Sequence, residues 1–105
     1  MQKTDTLGHF EERVLAAVKT AKNAWAVPIQ DHVEAIGGKR IQSAAIYVTV
    51  QRLESKGYVL ARNAEHNGKS GKQSKRFYSI TASGKQALEE SIACAVRLLE
   101  FLKVR

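Results

Sequence analysis

The sequence contains little cysteine, little proline and no long apolar run. Cys94 is the only cysteine, so an intrachain disulfide is impossible and no oxidising compartment is implied. With a single proline, Pro28, and 44% apolar residues, the composition is that of a globular rather than a disordered chain. No apolar stretch approaches the roughly 18 residues that span a membrane, and the first residues lack the apolar segment of a signal peptide. We therefore expect a globular cytoplasmic protein that does not enter a membrane.

Sequence signatures of catalysis and of metal binding are also lacking. His9, His32 and His66 fall on different predicted elements, without cysteines or acids at the spacing of metal ligands. There is no phosphate-binding glycine loop, zinc-site spacing or nucleophile motif. Cys94 has alanine on both sides, which offers no positive charge to activate a thiol, so we expect a small buried apolar residue. The sequence predicts neither an enzyme, nor a metal site, nor a cofactor.

Acidic residues are outnumbered by basic ones. The 105 residues include 17 Lys and Arg against 10 Asp and Glu, which gives a formal net charge of +7. A chain of this length corresponds to about one domain. The excess of positive charge favours a polyanionic partner, either a nucleic acid or an anionic membrane surface.

Three segments of the first half have apolar residues at helical spacing. A first helix is predicted over residues 7–22. A second begins near Pro28, is expected to bury Ile29, Val33 and Ile36, and ends at a pair of glycines. Trp25, just before it, is expected to be part of the core rather than a ligand-stacking ring. A third helix is predicted over residues 43–56, with Gly57 as its C-terminal cap.

After Gly57 the apolar period changes from 3.6 to 2. Residues 58–64 and 75–80 are predicted strands, joined by a long polar hairpin tip over residues 65–74. Thr81 or Ser83 then caps a fourth helix. The predicted fold is mainly α with a small β-hairpin: a winged helix-turn-helix over residues 1–80, followed by a C-terminal dimerisation helix over residues 81–105, forming one compact unit.

The predicted third helix has one face for the core and an unusual opposite face. At 100° per residue, Ile46, Val50 and Leu53 share the core side. The opposite side is small, neutral and partly apolar, without an acid, which suits entry into the major groove of DNA. A lone exposed valine at position 48 is the ordinary alternative. The predicted DNA-contacting residues are Ser43, Ala44, Tyr47, Val48, Gln51 and Arg52.

The hairpin provides positive charge. Residues 62–76 contain five Lys and Arg against one acid, Glu65, a local net charge of +4. Such residues suit contacts to DNA phosphates, although a solvated basic loop has the same composition. A winged helix that only binds other proteins is the alternative function, and it predicts an acidic or mixed wing. The predicted phosphate contacts are Lys69, Lys72, Lys75 and Arg76.

The fourth helix is longer than a small three-helix core requires. Leu88 and Ile92 are expected to pack on the first helix of the same chain, and the domain offers no further surface beyond Ala95. The remaining apolar residues are too extensive to leave in water, so we expect a second copy to cover them across a two-fold axis. The predicted dimerisation residues are Ile92, Leu98, Leu99, Phe101 and Leu102.

Three segments together resemble one family. They are LGHFEERVLAAV (residues 7–18), IQSAAIYVTVQRLESKGYV (41–59) and GKSGKQSKRFYSITASGKQAL (68–88). In order and spacing they resemble the PadR-like bacterial transcriptional regulators. The resemblance implies a winged-helix homodimer that binds double-stranded operator DNA, usually as a repressor and often released by a small-molecule effector. It also implies that Tyr47 and its neighbours approach DNA and that Arg76 holds a phosphate. Gln42 departs from the pattern, because the family usually has a serine helix cap there.

Overall fold

The protein is described by a computed structural model that covers residues 7–68 and 71–103. Four helices and one hairpin follow each other along the chain. In order they are α1 (His9–Thr20), α2 (Ala26–Gly37), α3 (Ser43–Ser55), β1 (Val59–Gly68), β2 (Gly71–Ile80) and α4 (Ala82–Lys103). This is the predicted winged helix-turn-helix with a long C-terminal helix, so the predicted fold class is confirmed.

The core lies where α1, α2, α3 and the base of the hairpin meet. Its largest fully buried side chains are Leu15, Ile29, Ile46, Leu53, Val14, Val33, Val50 and Val59. The prediction that Ile36 is also buried is wrong, because its side chain is 53% exposed. Ile36 points in the same direction as Ile29, but it lies in the last turn of α2, past the buried positions. Helical spacing identifies a direction and does not show where along a helix the core ends.

The two strands of the hairpin are longer than the sequence predicts. β1 and β2 pair in antiparallel fashion from Val59 opposite Ile80 to Gly68 opposite Gly71. The predicted polar loop over residues 65–74 is therefore wrong, since all but two of these residues belong to the strands. Backbone hydrogen bonds pair the two strands independently of the side chains. Because residues 65–74 are polar on both faces, their sequence lacks the alternation of apolar and polar residues that predicts a strand.

Local caps define the end of α3 and the start of α4. Gly57 has φ of 80°. Its N–H donates to the carbonyl of Glu54 (3.0 Å) and the N–H of Tyr58 to that of Leu53 (2.9 Å), which is the Schellman motif. The predicted cap of α4 is Thr81, whose hydroxyl oxygen accepts the N–H of Gly84 at 3.0 Å. Both capping predictions are confirmed.

Most of α4 extends beyond the core. The helix has 22 residues, about 33 Å at 1.5 Å per residue, and only Gly84 and Leu88 in it are buried. Ile92, which is predicted to pack on α1, is 48% exposed. The prediction that Cys94 is buried is wrong, because its side chain is exposed. The longest principal dimension of the molecule is 59 Å. Within the described ranges, no helix is long and apolar enough to cross a bilayer.

Candidate nucleic-acid interface

One face of α3 points away from the core. The sides are sharply divided, since Ile46, Val50 and Leu53 are at most 1% exposed while Tyr47 is 52% exposed and Val48 48% exposed. α1 and α2 pack behind α3, so their side chains hold its inner face. All six residues predicted to contact DNA lie exposed on the outer side: Ser43, Ala44, Tyr47, Val48, Gln51 and Arg52.

The one acid of α3 is held by the wing. Glu54 accepts a hydrogen bond from Arg76 of β2, with Nη2 and Oε2 3.0 Å apart. The Arg76 guanidinium also lies 6.0 Å from the ring centroid of Tyr78. Burial raises the pKa of the Tyr78 phenol, and Arg76 opposes this only in part. The wing therefore neutralises the Glu54 carboxylate, which would otherwise repel an anion that approaches α3. The sequence does not predict this pairing.

Lys75, another basic residue of the wing, rests on an aromatic ring. The Lys75 ammonium lies 3.4 Å from the ring centroid of Trp25, at the start of α2. Trp25 is accordingly half-buried at the helix junction, covered by a cation. Of the four predicted phosphate contacts, Lys75 and Arg76 are consecutive residues of β2 and point to opposite faces of the hairpin, while Lys69 and the side chain of Lys72 lie outside the described residues.

The beginning of α3 is held from α2. Gln42 precedes the helix without a side-chain capping bond, in agreement with the missing serine. Instead the Glu34 carboxylate accepts the N–H of Ile41 at 2.8 Å, and the Gln30 amide donates to the carbonyl of Ile41 at 2.7 Å. The Ile41 N–H, and secondarily Gln30, hold the pKa of Glu34 below its ordinary value. The Ser43 hydroxyl bonds to Gln30 Oε1 at 3.1 Å.

The far end of α3 is held from α1. Lys56 Nζ lies 3.1 and 3.0 Å from the two carboxylate oxygens of Glu11, which also accepts the N–H of Gly8 at 2.9 Å. Burial raises the pKa of Glu11, but Gly8 and Lys56 together outweigh it and leave the pKa below its ordinary value. Both ends of α3 are thus fixed by charged groups of its neighbours.

A groove of about 570 Å³ separates the beginning of α1 from the middle of α4. Leu7, Tyr58, Cys94 and Leu98 supply much of its apolar lining. Ser91 of α4 and Glu12 of α1 are hydrogen-bonded across its edge. As for metals, residues 7–68 and 71–103 contain no group of three or more His, Cys, Asp or Glu placed to bind one.

Similar folds occur among solved structures. A PadR family transcription regulator from Clostridium difficile R20291 has a TM-score of 0.73 at 15% identity, covering 91% of this chain and 96% of that one. One from Eggerthella lenta has a TM-score of 0.65 at 23% identity, covering 87% and 77%. Bacillus subtilis PadR, solved in complex with operator DNA, has a TM-score of 0.68 at 21% identity, covering 84% of this chain and 48% of that chain.

The sequence itself gives the family. No curated protein matches the chain. The family model described as "Transcriptional regulator PadR-like family" matches residues 14–90, which include α2, α3, the hairpin and the first turns of α4. These residues are most of the chain, and they contain the exposed face of α3 and the basic residues described on the wing. The chain belongs to the PadR-like family of transcriptional regulators.

Proposed function

We propose that this regulator binds a specific site on double-stranded DNA as a homodimer, with α3 in the major groove and the wing on the phosphates. The observation that carries the proposal is the outer face of α3, which is exposed, small and free of unpaired acids in the described structure. A solvated helix face commonly carries Glu and Lys instead. The operator DNA bound by the similarly folded Bacillus subtilis PadR supports the same partner here.

Base recognition falls to the side chains at the centre of this face. Gln51 can pair with adenine, Arg52 can donate to the acceptors of guanine, and Val48 can contact the methyl group of thymine. The major groove is about 12 Å wide and accepts an α-helix. Ala44 lies beside them, and its short side chain allows the helix backbone to approach the groove. Tyr47 lies on the flank of the face and can reach the DNA with its ring. Ser43 stands in the first turn, the part of a recognition helix that commonly contacts base edges.

The wing contributes contacts that hold DNA without recognising its sequence. A guanidinium has five N–H donors, of which Arg76 directs one at Glu54 and another at the Tyr78 phenol. The other donors are available to a phosphate. Lys75 is fixed over Trp25 and offers a charge in a defined place rather than on a mobile chain. Lys69 and Lys72 add positive charge toward the tip of the wing in our proposal.

Dimerisation through α4 accounts for its exposed apolar side chains. Their exposed fractions range from 48% to 60%, more than a lone chain usually leaves in water. They are Ile92, Leu98, Leu99, Phe101 and Leu102. A two-fold interface formed by α4, with α1 beside it, would bury this surface in both copies. The two α3 helices would then require a roughly palindromic operator, with half-sites about one helical turn apart.

Repression is the regulatory outcome we propose, since a dimer seated on an operator obstructs transcription there. A small-molecule effector would release it by binding at or near α4. The groove between α1 and α4 supports this part, because its volume lies within the range of about 300–1,000 Å³ that small-molecule sites occupy.

Selection from genomic fragments tests the proposal. The purified chain should retain a small set of duplexes sharing a near-palindrome, and affinity should fall steeply with salt. Contacts to about six phosphates predict a log–log slope of about −5. Binding that does not respond to salt, or no binding at low salt, would contradict the proposal and favour the alternative of a protein-interaction module.

A further inference from the structure

The first turn of α3 depends on two side chains of α2. Gln30 and Glu34 lie four residues apart and share a hydrogen bond, with Nε2 and Oε2 3.3 Å apart. Between them they bond both backbone groups of Ile41, two residues before α3 begins. These contacts fix the backbone just before α3, where Gln42 makes no side-chain capping bond. The entry into the recognition helix is set by α2.

The orientation of the Gln30 amide follows from its partners. Nε2 faces the Ile41 carbonyl oxygen and a Glu34 carboxylate oxygen, and both of these oxygens only accept hydrogen bonds. The amide oxygen must therefore be the atom that faces Ser43. An amide oxygen also only accepts, so the Ser43 hydroxyl must donate its single proton to Gln30. What remains on Ser43 Oγ is a pair of acceptor sites.

We propose that Gln30 and Glu34 are positioning residues for DNA recognition, which make Ser43 a hydrogen-bond acceptor toward the base it meets. This inference rests on the proposed function. A hydroxyl whose proton is engaged cannot donate to a phosphate oxygen or to the acceptors of guanine. It can accept from the amino group of adenine or cytosine in the major groove. Gln30 thereby selects which base edges suit Ser43, without touching DNA.

The test compares an operator, selected with the wild-type protein, with a random duplex of the same length. Gln30→Ala should lower the preference for the operator about tenfold, the loss of one base contact, while affinity for random DNA changes less than about twofold. Glu34→Gln keeps the shape of the side chain and should show a smaller loss. The amide resonance of Ile41 should shift in Glu34→Gln, because its carboxylate acceptor has gone.

Two further variants separate positioning from general stability. Gln86→Ala is the matched control, because Gln86 makes the same bond to Glu90 four residues later, at 3.3 Å, on the exposed side of α4. It should leave the operator preference unchanged. Ser43→Ala should lower the operator preference to the same extent as Gln30→Ala. The double variant should be no worse than either single variant, because each change alone removes Ser43 as an oriented acceptor.

The outcomes are distinct. If the wild-type protein shows no operator preference, the proposed function fails. If it shows one and Gln30→Ala keeps it, or loses affinity for random DNA to the same extent, the positioning role is wrong while the proposed function stands. Additive losses in the double variant would likewise overturn the role of Ser43 as an oriented acceptor.

Discussion

Gly84 lies in a packed site that has no space for a side chain. It lies buried in the first turn of α4 against the carbonyl of Tyr58. A Cβ placed there would stand 2.2 Å from that oxygen and 2.9 Å from Ile80 Cγ1. The obstacle is backbone, so it cannot move aside as the end of a side chain would. Only glycine allows α4 to begin this close to the turn after α3.

Gly84→Ala should therefore destabilise the protein by about 1–3 kcal/mol or more, the cost of forcing atoms into a packed site. Denaturant unfolding followed by circular dichroism measures it. Gly37→Ala is the matched control, because a Cβ there meets only the flexible end of Arg13, 3.2 Å from Nη1. In a helix, alanine is favoured over glycine by up to about 1 kcal/mol, so this variant should equal or exceed wild type. Equal losses at both sites would refute the steric argument.

Residues that recognise DNA and residues that hold it should separate in binding experiments. Gln51→Ala should weaken the operator by about 1 kcal/mol or more relative to random DNA, because it removes a base contact. Arg76→Ala should weaken both DNAs alike, since it removes a phosphate contact and leaves Glu54 unpaired beside the DNA. Fluorescence anisotropy gives both affinities. If Gln51→Ala lowers them equally, α3 does not lie in the groove as proposed.

At the scale of elements, α3 is held at its two ends by carboxylates that belong to other helices. Glu11 of α1 holds Lys56, and Glu34 of α2 holds the entry at Ile41. Both carboxyl groups have a lowered pKa in the folded protein. A carboxyl group whose pKa is lower in the folded than in the unfolded protein stabilises the fold at pH values above its unfolded pKa. This contribution is lost as the pH falls through the folded pKa. The attachment of α3 should weaken in acid.

Glu11→Gln shows this effect for one end. At neutral pH the variant should be less stable than wild type by no more than about 1 kcal/mol, because the pair lies near the surface. The difference should shrink as pH falls below about 4, where the wild-type carboxyl also loses its charge. Urea unfolding at several pH values measures it. A difference that stays constant from pH 7 to pH 3 would show that the charge of Glu11 contributes nothing.

Periodicity was sufficient to predict which elements form, but not the full length of the strands or the contacts between elements. The spacing of Ile46, Val50 and Leu53 determined the buried face of α3, and therefore also its exposed face. The contact of Lys75 with Trp25 joins residues fifty positions apart, and no local pattern indicates it. The same holds for Gln30 with Ser43, because polar side chains pair according to how helices cross. Exposure of Ile36 and Cys94 was missed because a stripe of apolar residues does not show how far the core extends.

At the scale of the whole molecule, one chain does not cover its own apolar surface. Leu99→Glu together with Leu102→Glu should yield monomers with a folded winged helix, since both residues are more than half exposed and far from the core. These monomers should lose the operator. Sedimentation velocity and circular dichroism give the two measurements, and Gln86→Glu, on the same helix, should remain dimeric. A wild-type protein that is monomeric at micromolar concentration and still binds its site tightly would contradict the proposed dimerisation through α4.

The turn between α3 and β1 determines how such a dimer would respond to a change in the angle between its two α4 helices. The carbonyl of Gly57 accepts hydrogen bonds from Thr81 at 2.7 Å and Ser83 at 3.0 Å, and the carbonyl of Tyr58 accepts the Thr81 N–H at 3.0 Å. The end of α3 and the start of α4 are thus joined at a fixed angle. A tilt of about 5° between two α4 helices, acting over about 33 Å, displaces their ends by about 3 Å. Because the angle is fixed, the recognition helices would move with them, and the dimer would fit a different distance between half-sites.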